Sequence, residues 1–152
     1  MKRLAGGALL VALGAVAAAG CGGGGGGSKT LSKADYGTQL NQICTDYNAK
    51  QKAIGTPTSL ADVGVKGPKI LTEFDKAIAT ADKLKAPDEI KSTRDDFFTK
   101  SKAQRDLIGQ LIDAAKANDA AKAQELGGKA DGLNTDIQAM AKELGAPACG
   151  AS

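Results

Sequence analysis

Apolar side chains recur three and four positions apart in four long segments of this chain, and each segment closes on residues that do not continue a helix. That period is not the alternation of a half-buried strand, so it restricts the fold to packed helices. The first segment opens at Ser32, with Asp35 three residues later as an acidic form of the capping box, and carries Tyr36, Leu40, Ile43, Tyr47 and Ile54. Gly55-Thr56-Pro57 ends it. The second opens on the same spacing, Ser59 and Asp62, and carries Leu60, Val63, Ile70, Leu71, Phe74, Ile78 and Leu84 before Lys85-Ala86-Pro87. Within it Pro68 removes a backbone donor and crowds the carbonyl of Gly64, which predicts a kink near 67–68 or a fresh start there. The third carries Ile90, Phe97, Phe98, Leu107, Ile108, Leu111 and Ile112 and breaks at Asn118-Asp119. Asp119 caps the fourth, whose stripe is Ala123, Leu126, Ala130, Leu133, Ile137, Met140 and Leu144, with Gly145 and Pro147 as its stop.

Helices are therefore expected over residues 32–54, 59–84, 88–117 and 119–144. Short connections favour antiparallel neighbours, so the expected fold is all-α, an up-down-up-down four-helix bundle built as one domain from residues 32–150. Asp62/Lys66, Asp96/Lys100 and Glu125/Lys129 stand in the favourable order for pairs one turn apart. The core is lean. Its aromatics are Tyr36, Tyr47, Phe74, Phe97 and Phe98, and alanine fills many stripe positions. Alanine faces let helices approach closely but bury less area, at about 25 cal/mol per Å².

Chemistry is sparse. The chain has no histidine, which removes His-based triads, most zinc sites, His-ligated haem and the Glu-x-x-His plan of di-iron bundles. Asp95 and Asp96 are adjacent on a helix, so their side chains diverge and do not form a working carboxylate pair. Residues 131–136 (DGLNTD) lack the ligand order of a calcium loop. Arg94 and Arg105 both fall on the third helix, either laying aliphatic stems over the core edge or forming a patch for a partner or an anion. Phe97-Phe98 reads as core packing on a broad stripe. No catalytic, cofactor-binding or metal-binding residue emerges, and the expectation is a protein that is not an enzyme.

Ahead of the helices lies a different kind of segment. Lys2-Arg3 precede an apolar run over residues 4–19 that, at about 16 residues, is short of the roughly 20 a membrane-spanning helix needs. Ala18-Ala19-Gly20-Cys21 follows, and then six glycines, residues 22–27. This order resembles the export and lipidation signal of bacterial lipoproteins, which implies cleavage before Cys21 and lipid, palmitate among it, on that cysteine. Ordinary secretion with cleavage after Ala17-Ala18-Ala19 is the alternative. Residues 1–20 then read as a signal peptide and 21–31 as a lipidated cysteine with a flexible glycine-rich tether. Loss of Lys2 and Arg3 leaves 18 basic against 17 acidic side chains, so the mature chain is near neutral and lacks the basic footprint of a nucleic-acid binder. The expected location is the extracytoplasmic face of the cell membrane, reached through the lipid on Cys21.

With Cys21 assigned to lipid, Cys44 and Cys149 remain, in a compartment that permits disulfides. A Cys44–Cys149 bridge is the expectation, against two free thiols or pairing between chains. It requires residues 145–149 to rise some 18 Å along the first helix, or that helix to overhang the bundle. Together, Ala18-Ala19-Gly20-Cys21, Tyr47-Asn48 after Ile43-Cys44, Leu84-Lys85-Ala86-Pro87 and Leu144-Gly145 with the late Cys149 resemble small all-helical lipoproteins of high-GC Gram-positive bacteria. The resemblance implies no activity. The functional expectation is an envelope protein contacting a protein or cell-envelope partner, the alternative being a module that binds a small molecule or lipid in a gap of the alanine-rich core.

Overall fold

The computed structural model describes residues 29–150. The expected signal peptide (1–20), Cys21 and the glycine run 22–27 lie outside the described residues. Among those described there are four α-helices and no strand: α1 Lys33–Ile54, α2 Leu60–Ala81, α3 Lys91–Lys116 and α4 Ala120–Glu143, with short 3-10 turns at Asp88–Ile90 and Pro147–Gly150.

Local capping sets the helix starts. Ser32 Oγ accepts from the Asp35 amide and its hydroxyl donates to the Asp35 carboxylate at 2.7 Å. Ser59 Oγ accepts from the Asp62 amide, and Asp119 does the same for Lys122. Asp62 is the busiest cap residue: its Oδ2 accepts from the amide and hydroxyl of Thr58 and pairs with Lys66 at 3.0 Å. These bonds, that from Lys66 foremost, hold its carboxyl below the usual carboxylate range.

Three local expectations are corrected. First, of the two outcomes expected at Pro68, a kink or a fresh start, the fresh start does not occur: α2 is one helix from Leu60 to Ala81. Gly67 is pressed so close to Ile112 of α3 that a Cβ there would lie 2.6 Å from its side chain, and this packing holds the two helices together where the proline forfeits its bond. Second, α2 stops at Ala81: the Asp82 amide still bonds four residues back to Ile78, but those of Lys83 and Leu84 bond three back, to Thr80 and Ala81. The third helix likewise begins as a 3-10 turn, with Ile90 at φ −117° and ψ 5° carrying its side chain into the core. Third, Lys100 does not pair with Asp96; it reaches across to Asp136 of α4 at 2.7 Å.

Cross-helix contacts show how the elements lie. Asp82 meets Arg94, Asp75 meets Arg105, Gly67 meets Ile112 and Gly64 meets Lys116, so residue numbers fall along α2 as they rise along α3. Leu31 at the entry to α1 donates to Lys85 beyond the end of α2, and Tyr47 packs edge-on against Phe74 with ring centroids 5.5 Å apart. Helix α4 packs on α3. Between α1 and α4 the main packing is indirect, through the Pro147–Gly150 turn that touches both.

The interior divides into two clusters. The larger, at the end where the chain enters α1 and leaves α4, joins Tyr36, Leu40, Ile90, Phe97, Phe98, Ile137 and Leu144 with several alanines. The smaller, at the opposite end, has Ala114, Ala123 and Leu126 at its centre, with Leu60, Leu107 and Leu111 against them.

Candidate functional site

Cys44 and Cys149 are joined by a disulfide with their Cα atoms 4.9 Å apart. The tail reaches Cys44 by a shorter climb than the helix lengths suggested, and not as an extended strand. Gly37 and Gly145 meet backbone to backbone, so closely that a Cβ on Gly37 would lie 2.6 Å from the Leu144 carbonyl oxygen. Helix α1 therefore overhangs by about a turn, and the rise from residue 37 to residue 44 is about 10 Å at 1.5 Å per residue. Gly145 turns the chain with φ +75°, a conformation that suits glycine. Ala146 is then fully buried, and the 3-10 turn presents Cys149 to α1. Two asparagines of α1 fasten the turn: the Ala148 amide donates to Asn41 Oδ1 at 2.8 Å, and Asn48 Nδ2 donates to the Ala148 carbonyl at 2.9 Å.

Just beyond this strap, between the two core clusters, the helices leave space. An apolar slot of about 50 Å³ is floored by Phe74, Ala77, Ile78 and Phe97 and walled by Tyr47 and the disulfide. It adjoins a wider recess of about 230 Å³, which shares Tyr47, Asn48, Phe74, Gln104 and Cys149 with it and extends to Gln51, Ile108 and Asp131. Ser101, a buried polar side chain at 2% exposure, lines the slot. Neither its hydroxyl nor the amides of Gln51 and Gln104 are hydrogen-bonded to other described residues. Burial pushes the Tyr47 phenol up to about 12, so this wall is neutral over the physiological range. Apolar depth under a rim of amides can take up an apolar group and hydrogen-bond what it carries.

The arginines are engaged elsewhere. Arg94 lies over the Phe98 ring, 4.4 Å from its centroid, and pairs with Asp82 at 2.8 Å and Asp95 at 3.0 Å. Asp95 is held below the usual carboxylate range by Lys91 first and Arg94 second. Arg105 grips both oxygens of Asp75, at 2.9 and 3.0 Å, which lowers that carboxyl in turn. With carboxylates on both guanidinium groups, an anion would have to displace them. The Tyr36 hydroxyl and Arg94 Nε are both buried without a hydrogen bond of good geometry, although the guanidinium lies near enough to oppose the rise that burial imposes on the phenol. Phe97 and Phe98 are buried edge to face, 5.6 Å apart, in the core. Residues 131–136 lie within α4, so they form no loop.

Gln104 and Gln51 were not singled out by their residue types. A signal existed: on α3 the apolar stripe between Phe97 and Ile108 is interrupted by Ser101 and Gln104, three and four residues apart on the same face. No family model matches this chain, and comparison with curated proteins and with solved structures finds no match.

Proposed function

We propose that this is a lipid-anchored, extracytoplasmic protein without catalytic activity, whose up-down-up-down four-helix bundle holds a small ligand. The observation that carries the ligand reading is the slot and recess between the two core clusters, with apolar depth and an amide rim. The Cys44–Cys149 bridge supports an oxidising compartment. Cys21 supplies the anchor and residues 22–27 the tether. A protein-docking role would favour a contiguous apolar patch, whereas Val65 is the one large apolar side chain left exposed among the described residues. The recess therefore favours a small ligand over a protein or envelope partner.

Anchoring and ligand holding are tested separately. Cells fed a palmitate analogue should label the chain, and Cys21→Ser should lose the label and leave the membrane fraction; a membrane-bound, unlabelled protein would refute the anchor. Native mass spectrometry of the protein released from its own membranes should show a discrete added mass. A uniformly unliganded protein under several growth conditions would count against ligand holding and leave the anchor standing.

A further inference from the structure

We infer that the slot and recess accept an uncharged amphipathic molecule, with a short alkyl or ring end in the slot and a hydroxyl- or amide-bearing head on the rim. This deepens the ligand reading above and rests on it.

Three features set the ligand class. The slot is too small for a whole drug-sized molecule, since an engineered cavity of about 150 Å³ is what holds a benzene. Its volume of about 50 Å³ suits the end of a chain or the edge of a ring, with the remainder in the wider recess. The walls that would touch that end are Phe74, Ile78 and Phe97 and the edge of Tyr47.

The head group is set by what the rim offers. Gln51 and Gln104 face the recess with donors and acceptors unused by other described residues, and Asn48 has spent one donor on the Ala148 carbonyl. Carboxamides both donate and accept, and so match hydroxyls and amides, which do the same. Among the described residues, the charge lining the recess is Asp131, which is exposed. It opposes a carboxylate, and in water it gives a cation little. Among the described residues no cationic side chain lines the recess. Charged heads would thus lose hydration without a buried counter-charge.

The C-terminal turn completes the site. Cys149 and Gly150 form one wall, held by the disulfide and by Asn41 and Asn48. The site is thus assembled from α1, α2, α3, α4 and the tail.

The test uses three probes with one tail and different heads: hexyl β-glucoside, hexanoate and hexylammonium, each below its micellar concentration. The protein is the full chain carrying Cys21→Ser, which removes the lipid acceptor. It has two tyrosines and no tryptophan, so a fluorescence change reports on Tyr47 at the site above the constant Tyr36 of the core. Hexyl glucoside should bind saturably, at least tenfold more tightly than either charged probe. Ala77→Leu, which fills the slot, should abolish binding while thermal melting shows a folded protein. Gln104→Ala should weaken it about fivefold, the loss of one ordinary hydrogen bond, and stands as the second variant should Ala77→Leu not fold. No saturable binding, a charged probe binding as well as the glucoside, or binding unchanged in Gln104→Ala and in folded Ala77→Leu would each overturn the inference.

Discussion

The two ends of the molecule are built by different rules. At the end where the chain enters α1 and leaves α4, large side chains interlock: Tyr36, Leu40, Phe97, Phe98, Ile137 and Leu144 share one cluster, with Arg94 across the Phe98 ring. The disulfide and two asparagine clamps close that end. At the other end Ala114, Ala123 and Leu126 make a small cluster, and the adjoining part of α4 carries Gly127, Gly128 and Gly132 with nothing against them. Buried area scales with side-chain size, so the first end carries most of the stability and the second opens more readily. The recess lies at the boundary, where rigid packing gives way.

Cavity-forming substitutions should expose this contrast most strongly. Leu144 is 0% and Leu126 2% exposed, so burial alone does not separate them. Leu144→Ala should cost about 4 kcal/mol, whereas Leu126→Ala, beside small residues that can close over the gap, should cost about 2–3 kcal/mol. Equal costs in denaturant titrations would erase the distinction. Next in size is the staple: replacing Cys44 and Cys149 together with alanine should remove about 2–4 kcal/mol. Amide exchange should then quicken in residues 146–150 and at Asn41 and Asn48, leaving the far end unchanged. Matching protection before and after would place the stability elsewhere.

Alkaline titration probes the boundary itself. The Tyr47 phenol is raised by burial from 10.0 to about 12, so the folded protein keeps a proton that the unfolded chain releases. Stability from this residue is complete below pH 10 and falls between pH 10 and about 12, by about 1.4 kcal/mol per pH unit. Tyr36 is raised in the same direction by its own burial. Comparing melts of the parent and Tyr47→Phe isolates the Tyr47 contribution from lysines that titrate nearby in pH. A parent and variant with parallel pH profiles would show that Tyr47 ionises freely.

The smallest effect has the opposite sign. Gly128 and Gly132 sit on an exposed face of α4 with open space where a Cβ would be. Alanine at either should stabilise by about 0.5–1 kcal/mol through helix propensity. The same change at Gly37, facing the Leu144 carbonyl, should destabilise instead. A loss at Gly128 in thermal melts would mean that this face is covered.

Much of this architecture was legible in the residue order because the signals are local. Ser32, Ser59 and Asp119 cap the helices they were expected to cap, since a cap needs its own side chain and an amide three residues on. Asp62/Lys66 and Glu125/Lys129 pair within one helix for the same reason. The apolar stripes determine that four helices form and which faces turn inward. Cysteine count could name Cys44 and Cys149 as candidates but not the path between them.

Tertiary structure decided what depends on distant neighbours. Lys100 chose Asp136 over Asp96 because α4 brings that carboxylate within reach. Gly67 packs on Ile112 beside Pro68, and of the kink or fresh start that Pro68 alone predicts, the fresh start does not occur. The approach of Gly37 to Gly145 set the height at which the tail crosses α1, and with it the wall of the recess. Gln104 is an ordinary helix residue until three other elements and the tail surround it. Periodicity records which side of a helix is buried, but only the packed helices determine where burial stops short and leaves a site.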